Sequence, residues 1–418
     1  MPIEAPLGPQ HGQIVVGRGA LAGLMVALAM AASTIVLSEP AVADVLMAGV
    51  IFAVPLLGAA RFGMLTTANL AAWLVIVALG IGGTWLSATF DTAIKHQLVT
   101  LFLALGSVVL AGYIAKDPLP RFNLVMWAYT LACLVATLAA LLGYFRLLPE
   151  AYDLFTSYGR ARGTFKDPNV FGAALVPAIT FAAWIMLRET ACRALFAAGL
   201  ALLLALGLLI SFSRGAWVSA IVALVLMAWV LFVRSRRRSD FKRFGLVALI
   251  GTAGVLIAFG AAMQIDEVRK LLEERASLDQ SYDQGPEGRF GGQDKARNLI
   301  LENPLGIGTH TFREVYHHEE PHNVYLSMFL NAGWIGGLAY VLSVAATLFA
   351  GLKLSFRSSA LQGPLLVSTA AFAAMAFEGA IIDSDHWRHF FIVMACVWGL
   401  VDATAPRPRS GRRRRATD

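Results

Sequence analysis

The sequence predicts an all-α polytopic membrane protein of about twelve transmembrane helices with a small helical cap outside the membrane. Hydrophobic residues make up 57% of the 418 positions and charged ones only 15%, whereas soluble chains are about a quarter charged. A soluble core could not hide that much apolar surface. Apolar runs close to the ~20 residues needed to cross a bilayer recur along the whole chain. The three cysteines, Cys133, Cys192 and Cys396, lie in or beside these runs with no pairing by spacing, so no disulfide or cysteine–metal framework is indicated.

The candidate spans are 19–37, 42–59, 64–82, 97–115, 122–143, 168–187, 194–210, 216–233, 244–263, 328–350, 361–381 and 389–404. They divide the chain into a first membrane part, 1–263, with about nine helices; a loop or cap, 264–320; a second membrane part, 321–404, with about three helices; and a basic tail, 405–418. The first span reads as retained, since no small-residue cleavage site follows it.

Lysine and arginine set the orientation. With both termini cytoplasmic, the inner loops hold Arg61, Lys116, Arg121, Arg188, Arg193, the arginine run 234–238, Lys353 and Arg357, and the tail carries Arg412 to Arg415. These runs read as topology determinants drawn to anionic head groups, not as nucleic-acid contacts.

The basic residues on the other side break that rule and are therefore informative. They cluster in the loop 144–167 (Arg146, Arg160, Arg162, Lys166), in the turn Ser-Phe-Ser-Arg-Gly at 211–215, and in 264–320. Within the last, 268–278 and 295–301 have helical apolar spacing, the second stopping at Asn303-Pro304. Guanidinium groups beside apolar spans suit an anionic lipid head group, because the planar fork stays charged and grips phosphate bidentately. Arg160, Arg162, Arg214 and Arg289 are the candidates. Each has a plainer alternative: pairing with Asp153, Asp167, Glu287 or Asp294 to fix loops.

Glu319-Glu-Pro-His-Asn323 then precedes an apolar run containing Gly333 and Gly336. Pro321 is placed to start a helix, with His322 and Asn323 in its first turn. A histidine there can take a proton from a sugar hydroxyl at neutral pH, Asn323 can orient its ring or a sugar hydroxyl, and the two glycines let another helix pack closely.

Four features in this order resemble the O-antigen ligase family. They are Arg-Ala-Arg-Gly-Thr-Phe-Lys-Asp-Pro-Asn at 160–169, the turn at 211–215, Asn-Pro-Leu-Gly-Ile-Gly at 303–308, and His322-Asn323 followed after nine residues by Gly333 and Gly336. The family also embraces O-antigen and exopolysaccharide polymerases. The resemblance implies transfer of a glycan from an undecaprenyl-diphosphate donor to lipid A–core at the periplasmic face of a bacterial inner membrane, without metal, nucleotide or other cofactor; in-line displacement of the diphosphate would invert the anomeric carbon. The same resemblance makes His322 the general base and Arg162, Arg214 and Arg289, with Arg160, the diphosphate ligands. Asn169, Ser213, Asn323, Gly333 and Gly336 support them.

Rival readings remain on the sequence. A polymerase would use the same donor, and Arg297 to Gly308 fits the Arg-x10-Gly pattern associated with polymerases. A metal site from His317, His318 and His322 has the right residue types, but Pro321 interrupts the helix face it needs. Asp383-Ser-Asp385-His386 resembles a metal–nucleotide motif and reads more plainly as a solvated outer loop. A lipid-linked-glycan transporter would need buried charges within its spans, for which Glu378 and Asp402 are the nearest candidates.

Overall fold

The computed structural model describes residues 17–234 and 285–405, together with Gly245, Gly260, Gln264 and Arg269. The chain is mostly helical. Helices α1 (Arg18–Ala32), α2 (Val42–Leu56), α3 (Met64–Thr84), α4 (Phe90–Lys116) and α5 (Pro118–Tyr144) come first. A short α6 (Ala151–Phe155) then leads into the antiparallel pair β1 (Thr156–Ser157) and β2 (Arg160–Ala161). Next come α7 (Pro168–Arg188), α8 (Ala191–Ile210) and α9 (Arg214–Arg234). After the undescribed stretch follow α10 (Arg289–Glu302), a π-helical turn (Phe312–Tyr316), α11 (Val324–Ser355), α12 (Gln362–Glu378) and α13 (Arg388–Thr404).

Eleven of the twelve expected apolar stretches coincide with these helices, and the expected span 244–263 lies outside the described residues. Among the described residues, seven helices (α3, α4, α5, α7, α8, α9 and α11) are long and apolar enough to cross a membrane. The others that match an expected span have 15 to 17 residues, which at ~1.5 Å per residue falls short of the ~30 Å hydrocarbon core. Of the two extramembrane segments with helical spacing, 295–301 lies within α10, whose C-cap is Asn303. The stretch 268–278 lies outside the described residues.

The bundle centres on α13, in which every residue from His389 to Asp402 is buried. Small residues let α4 approach it: a Cβ on Gly399 would sit 2.6 Å from the Ala111 carbonyl, the backbone proximity that membrane helices obtain from glycine.

At one end of the bundle, basic side chains meet the carbonyls that helix C-termini leave unpaired. Arg121 donates to Tyr113 O at 2.7 Å and also to Ala59 O, Lys116 donates to Gly58 O, and Arg234 donates to Phe356 O. Asp402, one of the two buried acids considered for a carrier, lies at this end too. It accepts from the Leu65 and Thr66 amides at 3.2 and 3.0 Å and so caps α3, a structural task.

Helix α11 is broken at Gly333 (φ 66°, ψ −171°). The loop 303–308 lodges in the break, where it replaces helical hydrogen bonds. The Trp334 amide donates to Pro304 O at 2.9 Å, and the Ile307 and Gly308 amides donate to Leu330 O at 2.8 and 3.2 Å. A Cβ at Gly333 would lie 2.6 Å from Pro304 O. The expected role of Gly333 in helix packing is therefore corrected: it admits a loop. Gly336 sits nearest its own chain at Ala332, with Leu79 of α3 3.8 Å from a built Cβ.

Candidate functional site

The loops at the other end of the bundle gather the site residues. His322 is not in a helix, contrary to the reading that Pro321 starts one. It holds a left-handed conformation (φ 51°), a strained position for a residue with a side chain. Asn323 is the N-cap of α11: its side-chain oxygen accepts from the Tyr325 and Leu326 amides at 3.1 and 3.3 Å. Asn323 thus satisfies orphan helix donors through its side-chain oxygen. The amide of Val324 is bonded to Gly379 O at 2.8 Å, which joins this helix head to the turn between α12 and α13.

That turn carries Asp383, whose Oδ2 accepts from the His322 amide at 3.0 Å and lies 4.0 Å from the ring Nδ1. Ser327 Oγ donates to Asp383 Oδ1 at 2.5 Å. The other ring nitrogen, Nε2, contacts Glu319 Oε2 at 3.1 Å. The imidazole is thus flanked by two carboxylates, one half-buried in the turn and one exposed.

The expected solvated loop at Asp383-Ser-Asp385-His386 is corrected here. Ser384 and Asp385 are buried because the turn folds inward over α4. His96 Nε2 meets Asp385 Oδ2 at 2.8 Å. The His96 and His386 rings stack at 3.9 Å, and His310 packs edge-on to His96 while pairing with Glu320 at 3.1 Å. Burial pushes the Asp383 carboxyl up to about 6, helped by repulsion from Asp385 and opposed by the Ser327 hydrogen bond and by His322. Burial also acts to raise Asp385, but His386 and His96 outweigh it and hold that carboxyl well below the usual range. Burial pushes His386 down to about 4 against the pull of Asp385.

The arginines divide. Arg160 is buried; its Nε donates to Ser211 O at 2.8 Å and its Nη2 to Asn169 Oδ1 at 2.7 Å. Two of its partners are thus a backbone carbonyl and a side-chain amide, while Asp167 caps α7. Asn169 accordingly holds Arg160, and this contact ties β2 to the turn after α8. Ser213 is buried, and its Oγ accepts from the Ala216 amide at 3.3 Å at the start of α9. Arg162 reaches the carbonyls of Leu154 and Lys166 at 3.2 and 3.4 Å, and its Nε is buried without a hydrogen-bond partner among the described residues.

Arg214 and Arg289 are the first residues of α9 and α10, both half-buried. There the guanidinium adds to the partial positive charge of a helix N-terminus, an arrangement that favours anions. Gly215, beside Arg214, faces Glu378 and Ile381, each 3.2 Å from a built Cβ. Glu378 joins directly to the Gly379 that bonds the head of α11. Through these contacts the loops bearing Arg160, Arg214 and His322 form one connected end of the bundle.

The three histidines of the metal reading do not share a site. His322 pairs with Glu319 and Asp383, while His317 and His318 have donor atoms within 4.8 Å of each other and of Glu287. His317 is buried against Phe312, with its Nδ1 on the backbone of Glu319.

A family model described as O-antigen ligase matches residues 199–341. This chain carries an O-antigen ligase family segment. The segment spans about a third of the chain and contains Arg214, Arg289, His322, Gly333 and Gly336, while Arg160 and Arg162 lie before it. No curated protein matches the chain. The apolar helices fit a multi-pass membrane protein. Asp383, whose contact with His322 the sequence reading did not anticipate, lies beyond the matched segment. Its signal was an Asp-Ser-Asp-His run directly before the last apolar span, on the same predicted side as His322.

Proposed function

We propose that this chain transfers a glycan from an undecaprenyl-diphosphate donor to the lipid A–core acceptor, working as an O-antigen ligase. The supporting observation is His322, held in a strained conformation between Asp383 and Glu319 at the head of the broken helix α11, inside the matched segment. In this reading His322 takes the proton of the acceptor hydroxyl as that oxygen attacks the anomeric carbon. The bond from that carbon to the diphosphate breaks from the opposite face, so the configuration inverts. Glu319 swings aside to admit the acceptor to Nε2, while Asp383 holds the backbone and stabilises the imidazolium that forms.

The leaving diphosphate carries its own charge away, and Arg162, Arg214 and Arg289 meet that charge. Arg160, bonded to Ser211 and Asn169, shapes the pocket. No step calls on a nucleotide. The reading places the site at the periplasmic face of a bacterial inner membrane, with both termini cytoplasmic, twelve spans including 244–263, and a cap over 264–320.

Reconstitution with one undecaprenyl-diphosphate glycan tests this. Offered lipid A–core, the protein should yield lipid A–core capped with glycan. Lengthening of the lipid-linked glycan with excess donor alone would make it a polymerase, and movement of donor between leaflets without transfer would make it a transporter.

A further inference from the structure

We propose that His96, Asp385 and His386 form a binding site for a divalent cation of the zinc class, bracing the head of α4 against the turn that carries Asp383. The donor atoms of the three residues lie within 4.8 Å of one another. Two imidazoles and one carboxylate are the donor set that borderline cations such as Zn²⁺ take, at ~2.0–2.2 Å. Donors on a tetrahedral ion at that distance stand about 3.4 Å apart. The His96–Asp385 pair at 2.8 Å must open slightly and the widest pair, within 4.8 Å, must close by up to about 1.4 Å, changes within reach of ring and carboxylate rotation.

The protonation pattern around His386 points to the same conclusion. The Thr100 hydroxyl donates to the His96 carbonyl at 3.1 Å and lies 3.0 Å from His386 Nε2. When the Thr100 proton goes to that carbonyl, its oxygen is the acceptor for Nε2–H. The remaining ring nitrogen, Nδ1, is then the one with a lone pair. An outer partner that fixes the tautomer in this way is what metal-bound histidines have.

The Asp385 carboxylate brings negative charge into a half-buried place beside the two rings. Asp383 and Glu320 add to it nearby. A cation offsets that charge, and water completes its coordination.

The site joins residues far apart in sequence, one in α4 and two in the turn after α12, so it is invisible to spacing rules that look for ligands close together. Asp385 is two residues from Asp383, so an ion there would hold in place the turn that grips His322. The ion is structural and takes no part in the transfer. The proposal stands whether the chain is a ligase, a polymerase or neither.

The test uses full-length, untagged protein in detergent, because affinity tags bind zinc themselves. Elemental analysis of protein purified without chelator should find about one zinc per chain, lost on chelation. Zinc added back to the chelated protein should raise its melting temperature in proportion to occupancy. His96→Gln and His386→Asn should each cut the zinc content at least about tenfold, while Glu287→Gln and His318→Ala should keep it. The wild-type titration needs no variant to fold. Wild-type protein without zinc and without a melting shift on its addition would overturn the site and leave His96–Asp385 a plain ion pair. Zinc retained equally in His96→Gln and His386→Asn would also overturn it, placing the ion elsewhere.

Discussion

Asp383 grips His322 twice: Oδ2 accepts the backbone amide at 3.0 Å and faces the ring Nδ1 at 4.0 Å. One carboxylate therefore fixes both the strained backbone and the charge beside the imidazole. Asp383→Asn keeps the size but removes the charge, and it should slow glycan transfer by about 10–100-fold. Donor affinity and yield should change little. Wild-type turnover in purified Asp383→Asn would show that the contact only shapes the turn.

The three histidines near the head of α11 should behave differently from one another. His322→Ala should cost about 10²–10⁴-fold in turnover with donor binding retained. His318, largely exposed, should tolerate alanine. His317 is buried between Phe312 and Gly292, so its alanine variant should melt earlier yet turn over normally once folded. Assaying all three with the same lipid-linked donor decides the matter. Equal losses at the three positions would remove His322 from the base role.

For the arginines, replacement by lysine separates two tasks. Arg162→Lys and Arg214→Lys should weaken transfer strongly at unchanged yield, since a point charge cannot reproduce the bidentate fork. Arg160→Lys should instead lower stability by about 1–3 kcal/mol, because a lysine cannot reach Ser211 O and Asn169 together. Asn169→Ala should reproduce part of that loss. Thermal melting of Arg160→Lys indistinguishable from wild type would return Arg160 to the group that meets the donor.

Gly333→Ala should be among the most damaging single changes. Its φ and ψ belong to a region that residues with side chains do not occupy, and the new methyl would press on Pro304 O. The cost should be at least about 1–3 kcal/mol, seen as reduced yield of folded protein by fluorescence size-exclusion. Normal yield and melting would mean that the loop 303–308 can leave the break freely.

The helices were legible because a membrane span announces itself by local composition, and α10 because its apolar spacing and Asn303-Pro304 stop are local too. His322 was legible through its neighbours in sequence. Its conformation was not: Pro321 read as a helix start, yet the Asn323 cap to the Tyr325 and Leu326 amides won that position. The residues facing His322 were hidden for a different reason. Asp383 sits 61 residues further on, and an Asp-Ser-Asp-His run looks the same whether it is solvated or folded inward over α4. Only the partners His96 and Thr100, in another helix, distinguish the two. The Ser211 contact of Arg160 was hidden in the same way, since the carbonyl that accepts its proton carries no mark in the sequence.

The break in α11 also acts as a ruler. Asn323 must meet the turn after α12, and Gly333 must meet Pro304, so the nine residues between them have a fixed length as well as a fixed start. Adding one residue would turn one end against the other by about 100° and lengthen the segment by about 1.5 Å. Either His322 would swing away from Asp383, or the inserted loop would lose its seat. Side chains along 324–332 can therefore vary in kind far more readily than the segment can vary in count. The interval itself, more than any residue inside it, is the quantity that other chains built this way must share.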